Sequence, residues 1–183
     1  MIKNEIHLIE SGFFVLEREC RALPVYFERG FVFKGNIPEP KLTSLTPPPS
    51  FILYGEHRLI VLHSSDFPDI DPRMALVIPI TSAKAEKKRA QKEGRFIRAS
   101  YVPIPKDGHP FLEHDSYAST AQICPVNREW LNQYVGTIRP ELMNQIDMQV
   151  ILNIGAMNTV VQLAQKLYEK RPHQQEETAA GNE

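Results

Sequence analysis

Two apolar runs at the centre of the chain limit what it can fold into. RLIVLHSS begins at Arg58 and MALVIPI at Met74, with the turn-rich DFPDIDP between them. Each falls short of the roughly 10–12 residues of an ordinary helix, and both are rich in side chains that favour strands. Flanked by Asp and Pro, they read as two strands joined by a short connection. Both read as core strands.

Other stretches supply neighbours. Phe31, Val32 and Phe33 follow Arg29-Gly30, FILYGEH leads into Arg58, and FIRASYVPIP and SYASTAQICPV are separated by KDGHPFLEHD. From Gly35 to Ser50 the chain reads GNIPEPKLTSLTPPPS, whose five prolines exclude a helix or an inner strand. That is long for a hairpin connection.

Helical spacing is confined to the ends. Ile2, Ile6, Ile9, Phe13, Leu16 and Cys20 trace one face, which covers either the domain's own core or a partner chain. Near the other end, Asn127 can cap a short helix, NREWLNQY, and Pro140 suits a first helical position with Glu141 beside it. Met143, Ile146, Val150, Ile154 and Met157 then form an apolar stripe that Val161, Ala164 and Tyr168 extend, and Pro172 ends it. Strands in series followed by helices predict an α+β domain with a small antiparallel sheet or barrel. The expected division is a helical extension over 1–25, one domain over 26–170 and a disordered tail over 171–183.

At 42% hydrophobic and 23% charged the chain is globular in composition, and its net charge of -1 excludes a wholly basic nucleic-acid binder. Charge is nevertheless concentrated locally. Lys84, Lys87, Lys88, Arg89, Lys92, Arg95 and Arg98 stand against Glu86 and Glu93. The segment reads either as a solvated loop or as a contact for a polyanion or an acidic partner. Two cysteines, Cys20 and Cys124, build no disulfide framework and suggest a reducing compartment. No run is apolar enough to span a bilayer, and Glu5 and Glu10 interrupt any signal-peptide core, so a cytoplasmic protein is expected. Asp66, Asp69 and Asp71 lack the glycine and distant glutamate of a calcium loop. His109, Glu113, His114 and Asp115 lack zinc spacing. Neither a metal nor another cofactor is predicted.

Arg58 opens one strand and Thr81 closes the other. A guanidinium is a planar fork of donors suited to phosphate, and a threonine hydroxyl adds one more. The same residues also suit a surface ion pair and ordinary β-propensity, and the residue types alone leave both readings open.

A longer string of features decides more. Arg29-Gly30 is similar to the RGD-type strand entry of the MazF/PemK/Kid family of toxin–antitoxin ribonucleases. Arg58 with LIVLHSSD resembles that family's RPxLVLSxD strand, Leu59 replacing the proline. VIPITS resembles its P-(I/C)-T-(S/T) strand end, at Pro79, Thr81 and Ser82. DSYASTAQICPVNREWLNQYVGTIRPELMNQID resembles the run that leads to the family's last helix. The resemblance covers about Arg29 to Gly155.

It implies an SH3-like β-barrel with flanking helices, a homodimer, and metal-independent, sequence-selective cleavage of single-stranded RNA through a 2′,3′-cyclic phosphate, restrained by an antitoxin. The family's catalytic arginine and threonine correspond to Arg58 and Thr81. Ser82, His57, Glu56 and Gln122 are supporting candidates, with His57 an alternative base. Lys84, Lys87, Lys88, Arg89 and Lys92 would grip RNA or the antitoxin's acidic tail. The chain departs from the pattern in three places. The GSEQxGxRP loop is replaced by the proline-rich stretch ending in LYGEHR, where Glu56 is the stand-in. Ala121 replaces an acidic residue before Gln122, and a helix is added at the front while the closing helix runs longer. The alternative is a non-catalytic barrel of the CcdB type, which acts by binding a protein partner such as gyrase.

Overall fold

The computed structural model describes residues 26–39 and 54–169. The expected N-terminal helix, most of the proline-rich stretch and the tail lie outside these residues. In chain order the elements are β1 (Phe31–Ile37), β2 (Gly55–Val61), β3 (Met74–Thr81), α1 (Lys84–Glu93), β4 (Tyr101–Ile104), β5 (Ser116–Ser119), β6 (Cys124–Asn127), a single 3-10 turn (Arg128–Trp130), β7 (Leu131–Thr137), α2 (Pro140–Asn153) and α3 (Met157–Glu169).

β2 and β3 form the expected antiparallel pair, with Arg58 opposite Ile80, Leu59 opposite Pro79, Ile60 opposite Ile78 and Val61 opposite Val77. The strand path is β4-β5-β3-β2-β1-β7, antiparallel throughout, and β6 also pairs with β3. Its two ends, β4 and β7, do not pair, so the seven-stranded sheet is not closed. β3 is long enough to take two neighbours in succession on its far side. β6 meets Met74–Val77 and β5 meets Ile80 and Thr81. Pro79 falls between them, where its missing N–H interrupts no ladder on that side.

Both faces of the sheet are buried, as the unalternating strands require. One face carries Val32, Ile60, Ile78 and Ile80 and packs under Leu142, Met143 and Ile146 of α2. The other carries Phe33, Leu59, Val61 and Val77 and closes on Phe27, Val126 and Leu131. An Arg29–Asp147 ion pair ties the entry to β1 to α2.

Several local expectations give way. Residues 84–93 are a helix rather than a loop: they are strong helix formers, Gly94 ends them with φ +61°, and Glu86 and Ala90, one turn apart, are buried. Asn127 does cap, its Oδ1 accepting from Glu129 N at 3.0 Å, but the helix lasts one 3-10 turn before the sheet claims Leu131–Thr137 as β7. β1 runs on to Ile37, past the expected start of the loop at Gly35. SYASTAQICPV supplies two strands, β5 and β6, rather than one. The closing helix is two helices, because the chain breaks at Gly155 with φ +71°. α3 buries none of its residues. Among the described residues, no helix is long and apolar enough to cross a membrane.

Candidate functional site

Arg58 does not open its strand: β2 begins at Gly55, and Arg58 is the fourth of its seven residues, on the last rung shared with β3, with its side chain 29% exposed. Its guanidinium donates one 3.2 Å hydrogen bond to Glu113 Oε1, and its buried Nε–H meets no acceptor. Glu113 is itself 80% exposed, and an ion pair of that kind contributes about 0–1 kcal/mol. Directly opposite on β1 stands Lys34, a second half-buried cation on the same face. Like charges across a rung repel. A lightly engaged arginine beside a lysine is therefore suited to an anion. Glu56, two residues back and opposite Asn36, shares this face and is exposed.

Thr81 is the last residue of β3 and pairs across the sheet with Tyr117 of β5. Its Oγ1 accepts a 3.2 Å bond from Ala83 N, which leaves the hydroxyl proton available for donation. Ala83 has φ 52°, the one positive value at a non-glycine among the described residues, and opens α1 without a side-chain cap. Strain of this sort is a property of tight functional turns. The first N–H groups of α1 thus lie directly after Thr81 and the half-buried Ser82.

Because Arg58 pairs with Ile80, Thr81 lies one rung further along, and the pleat turns successive rungs to opposite faces. His57 is next to Arg58 within β2 and pairs with Gly35 of β1, so the pleat turns it to the opposite face from Arg58. The His57 Nε2 lies 2.9 Å from Tyr54 O, an arrangement that makes Nε2 the donor and leaves Nδ1 as an acceptor. Arg58 with Lys34 thus stands on one face of the sheet, while Thr81 and His57, each one position further along its strand, are turned to the other. Gln122 is in the turn between β5 and β6, its N–H donating to Ser119 O at 2.9 Å.

The basic segment is sorted by its helix. Lys84, Lys87, Lys88, Arg89 and Lys92 are exposed, and Lys87 Nζ lies 4.9 Å above the Tyr117 ring. Arg95 is bound internally, donating to the buried Glu86 at 2.7 Å and to Glu93 at 2.6 Å. Arg98 N adds a second donor to Glu86 at 3.2 Å. The Arg95 guanidinium, joined by Arg98, holds the Glu86 carboxyl below its usual range against the cost of burial. Lys34, Tyr117 and the structural role of Glu86 were not singled out by the sequence reading. A lysine inside the apolar run FVFKG was the available signal for the first. Among the described residues no group of three or more His, Cys, Asp or Glu side chains is placed to hold a metal. Cys124 is half-buried against the second core, and burial pushes its thiol up.

No curated protein matches the chain. Among solved structures, MazF from Deinococcus radiodurans superposes with a TM-score of 0.50 at 11% identity, covering 72% of this chain and 98% of its own. An endoribonuclease from a Mycobacterial species, in complex with its cognate antitoxin, gives a TM-score of 0.46 at 16% identity, covering 70% and 94%. Residues 53–154 match the family described as the PemK-like, MazF-like toxin of type II toxin–antitoxin systems. Spanning the hairpin with Arg58 and Thr81, α1, the strands β4 to β7 and α2, that match covers more than half of the sequence, and the chain belongs to this family.

Proposed function

We propose that the protein is an endoribonuclease toxin that cuts single-stranded RNA in the cytoplasm and is restrained by an antitoxin. The observation that carries this reading is Arg58. It is a half-buried guanidinium at the rim of the sheet, engaged by one long hydrogen bond, with Lys34 beside it. The solved MazF and the solved endoribonuclease–antitoxin complex are in keeping with it.

In the proposed reaction the ribose 2′-oxygen attacks the adjacent phosphorus and the 5′-oxygen leaves. A proton passes from the 2′-OH to a base, and one is returned to the leaving oxygen. The products are a 2′,3′-cyclic phosphate and a 5′-hydroxyl. Arg58 neutralises the charge that builds on the phosphate, the exposed Glu56 carboxylate on the same face serves as the proton acceptor, and the Thr81 hydroxyl donates from the end of β3, where the chain leaves the pleat for α1. An arginine is too strong a cation to act as the base itself. Gln122, in the turn between β5 and β6, is a further supporting group. Ser82 and the first N–H groups of α1 offer further donors to a non-bridging oxygen. The exposed cations of α1 track the RNA backbone or, when the antitoxin is bound, its acidic tail. Two copies forming a homodimer would present two such rims.

The chemistry needs positioning, charge neutralisation and proton transfer, so cleavage should survive EDTA. Incubating the purified protein with a long mixed-sequence RNA in EDTA, then mapping the ends, tests the reading. Cyclic phosphate ends at recurring sequences support it. Intact RNA at high protein concentration refutes it and favours the protein-binding alternative.

A further inference from the structure

An open cleft of about 520 Å³ lies beyond Tyr117, on the far side of that residue from Thr81. It is bounded by the loop after α1, the edge strand β4 and one side of α2. Phe96, Arg98, Tyr101, Tyr117, Gln145 and Gln149 supply its chemistry. Three aromatic rings, one guanidinium and two primary amides are a set suited to a flat heterocycle with hydrogen-bonding edges.

Phe96 is the informative member. Its ring is 96% exposed, yet the loop that displays it is firmly held. Arg95 donates to the Phe96 carbonyl at 2.8 Å while gripping the buried Glu86, and Arg98 N on the other side donates to the same carboxylate. A buried carboxylate with donors from both flanks of one residue fixes a backbone. Here the backbone it fixes points a phenyl ring into water. Such a ring contributes nothing to the core, and a rigid, exposed aromatic is what a stacking partner requires. Gln149 donates one N–H to Asn153 Oδ1 at 2.9 Å, which orients its amide.

We propose that this cleft is a nucleobase subsite, in which one base of the bound strand stacks on Phe96 and presents its edge to Arg98 and Gln145. This rests on the ribonuclease reading above and deepens it. Tyr117 links the two places: it pairs with Thr81 on one side and lines the cleft on the other, and Lys87 stands over its ring. Arg98 in the lining and Lys87 of α1, over the Tyr117 ring, put positive charge at the cleft, which favours an RNA strand as the occupant. The base held here would be a neighbour of the cut site, so the cleft contributes to sequence selection.

The test uses the full chain and a short RNA carrying 2′-O-methyl riboses, which cannot be cleaved by 2′-OH attack. Phe96→Ala should weaken binding about 10- to 100-fold, the range expected for one lost stacked base. Phe96→Trp should restore it, and the dependence on salt should stay unchanged because no charge is removed. In a series with one abasic nucleotide moved along the RNA, a single position should abolish the difference between parent and Phe96→Ala. Equal binding by parent and Phe96→Ala, with RNA still cleaved, overturns the subsite and leaves the ribonuclease reading intact. Weakened binding to the antitoxin with unchanged RNA binding also overturns it and assigns the cleft to protein docking. Failure of the parent to bind or cut any RNA removes both.

Discussion

Replacing Gly35 with alanine tests the packing that sets the site. Gly35 is on β1, opposite His57 on β2 and Leu131 on β7. A Cβ there would lie 2.6 Å from Leu59 Cδ1 and 2.8 Å from the Trp130 carbonyl oxygen. Both are well inside contact distance, by about 0.6 Å or more. Leu59 is fully buried and has little room to rotate, and the carbonyl belongs to the backbone. Overpacking of this kind costs about 1–3 kcal/mol. Alanine regains about 0.5–1 kcal/mol of the entropy that glycine loses in a strand. The strain wins, and a net loss of about 1–2 kcal/mol is expected. For a chain of this size that lowers the melting temperature by about 2–8 °C. The displaced strand is the one that carries His57 and Arg58, so RNA cleavage measured well below the melting temperature should fall as well. Calorimetry with a parallel cleavage assay reads both. A Gly35→Ala protein as stable and as active as the parent would refute the close approach of β1 to Leu59 and Trp130.

Other consequences concern charge and the site. The Glu86 carboxyl is held low in the folded protein, mainly by Arg95, so its stabilisation is present above the ordinary carboxylate range and is lost as pH falls through the folded value. Glu86→Gln should therefore flatten the acid limb of the melting temperature as pH falls below the ordinary glutamate range, although Asp71, lowered to about 2 by Arg73, sustains part of it. Neutralising Lys87, Lys88 and Arg89 together should reduce the log–log salt slope of RNA binding by about 2, with little change in thermal stability. An unchanged slope would assign α1 to another partner. Thr81→Val should cost about 10²–10³-fold in cleavage rate, while Thr81→Ser, which keeps both the donor and the bond from Ala83 N, should retain most of it. Equal rates for valine and serine would remove Thr81 from the reaction.

The central hairpin was legible because its signals are local: short β-branched runs, turn formers between them, and unbroken apolarity where both faces are covered. The pairing of Arg58 with Lys34 was not, since register across β1 and β2 depends on contacts on both sides of the sheet. Helix α1 lacked an apolar stripe, and its evidence was composition, Gly94 and the single turn from Glu86 to Ala90. NREWLNQY carried a true cap at Asn127, but burial of Leu131 against β1 outweighed local propensity. Thr81 and Arg58 were found through a family pattern. What no pattern revealed is that Thr81 lies one position beyond Ile80, the partner of Arg58, so that the pleat turns the two side chains to opposite faces.

Arg58→Ala is the most direct test of the account. The side chain lies at the rim, outside both cores, and gives up only an exposed contact with Glu113. The variant should melt within about 1 °C per few tenths of a kcal/mol of the parent, and it should still bind the antitoxin. Cleavage of mixed-sequence RNA and growth arrest on expression should both disappear. A folded Arg58→Ala protein that cuts RNA at the parent's rate, or arrests growth as strongly, would contradict the claim that this arginine serves the reacting phosphate.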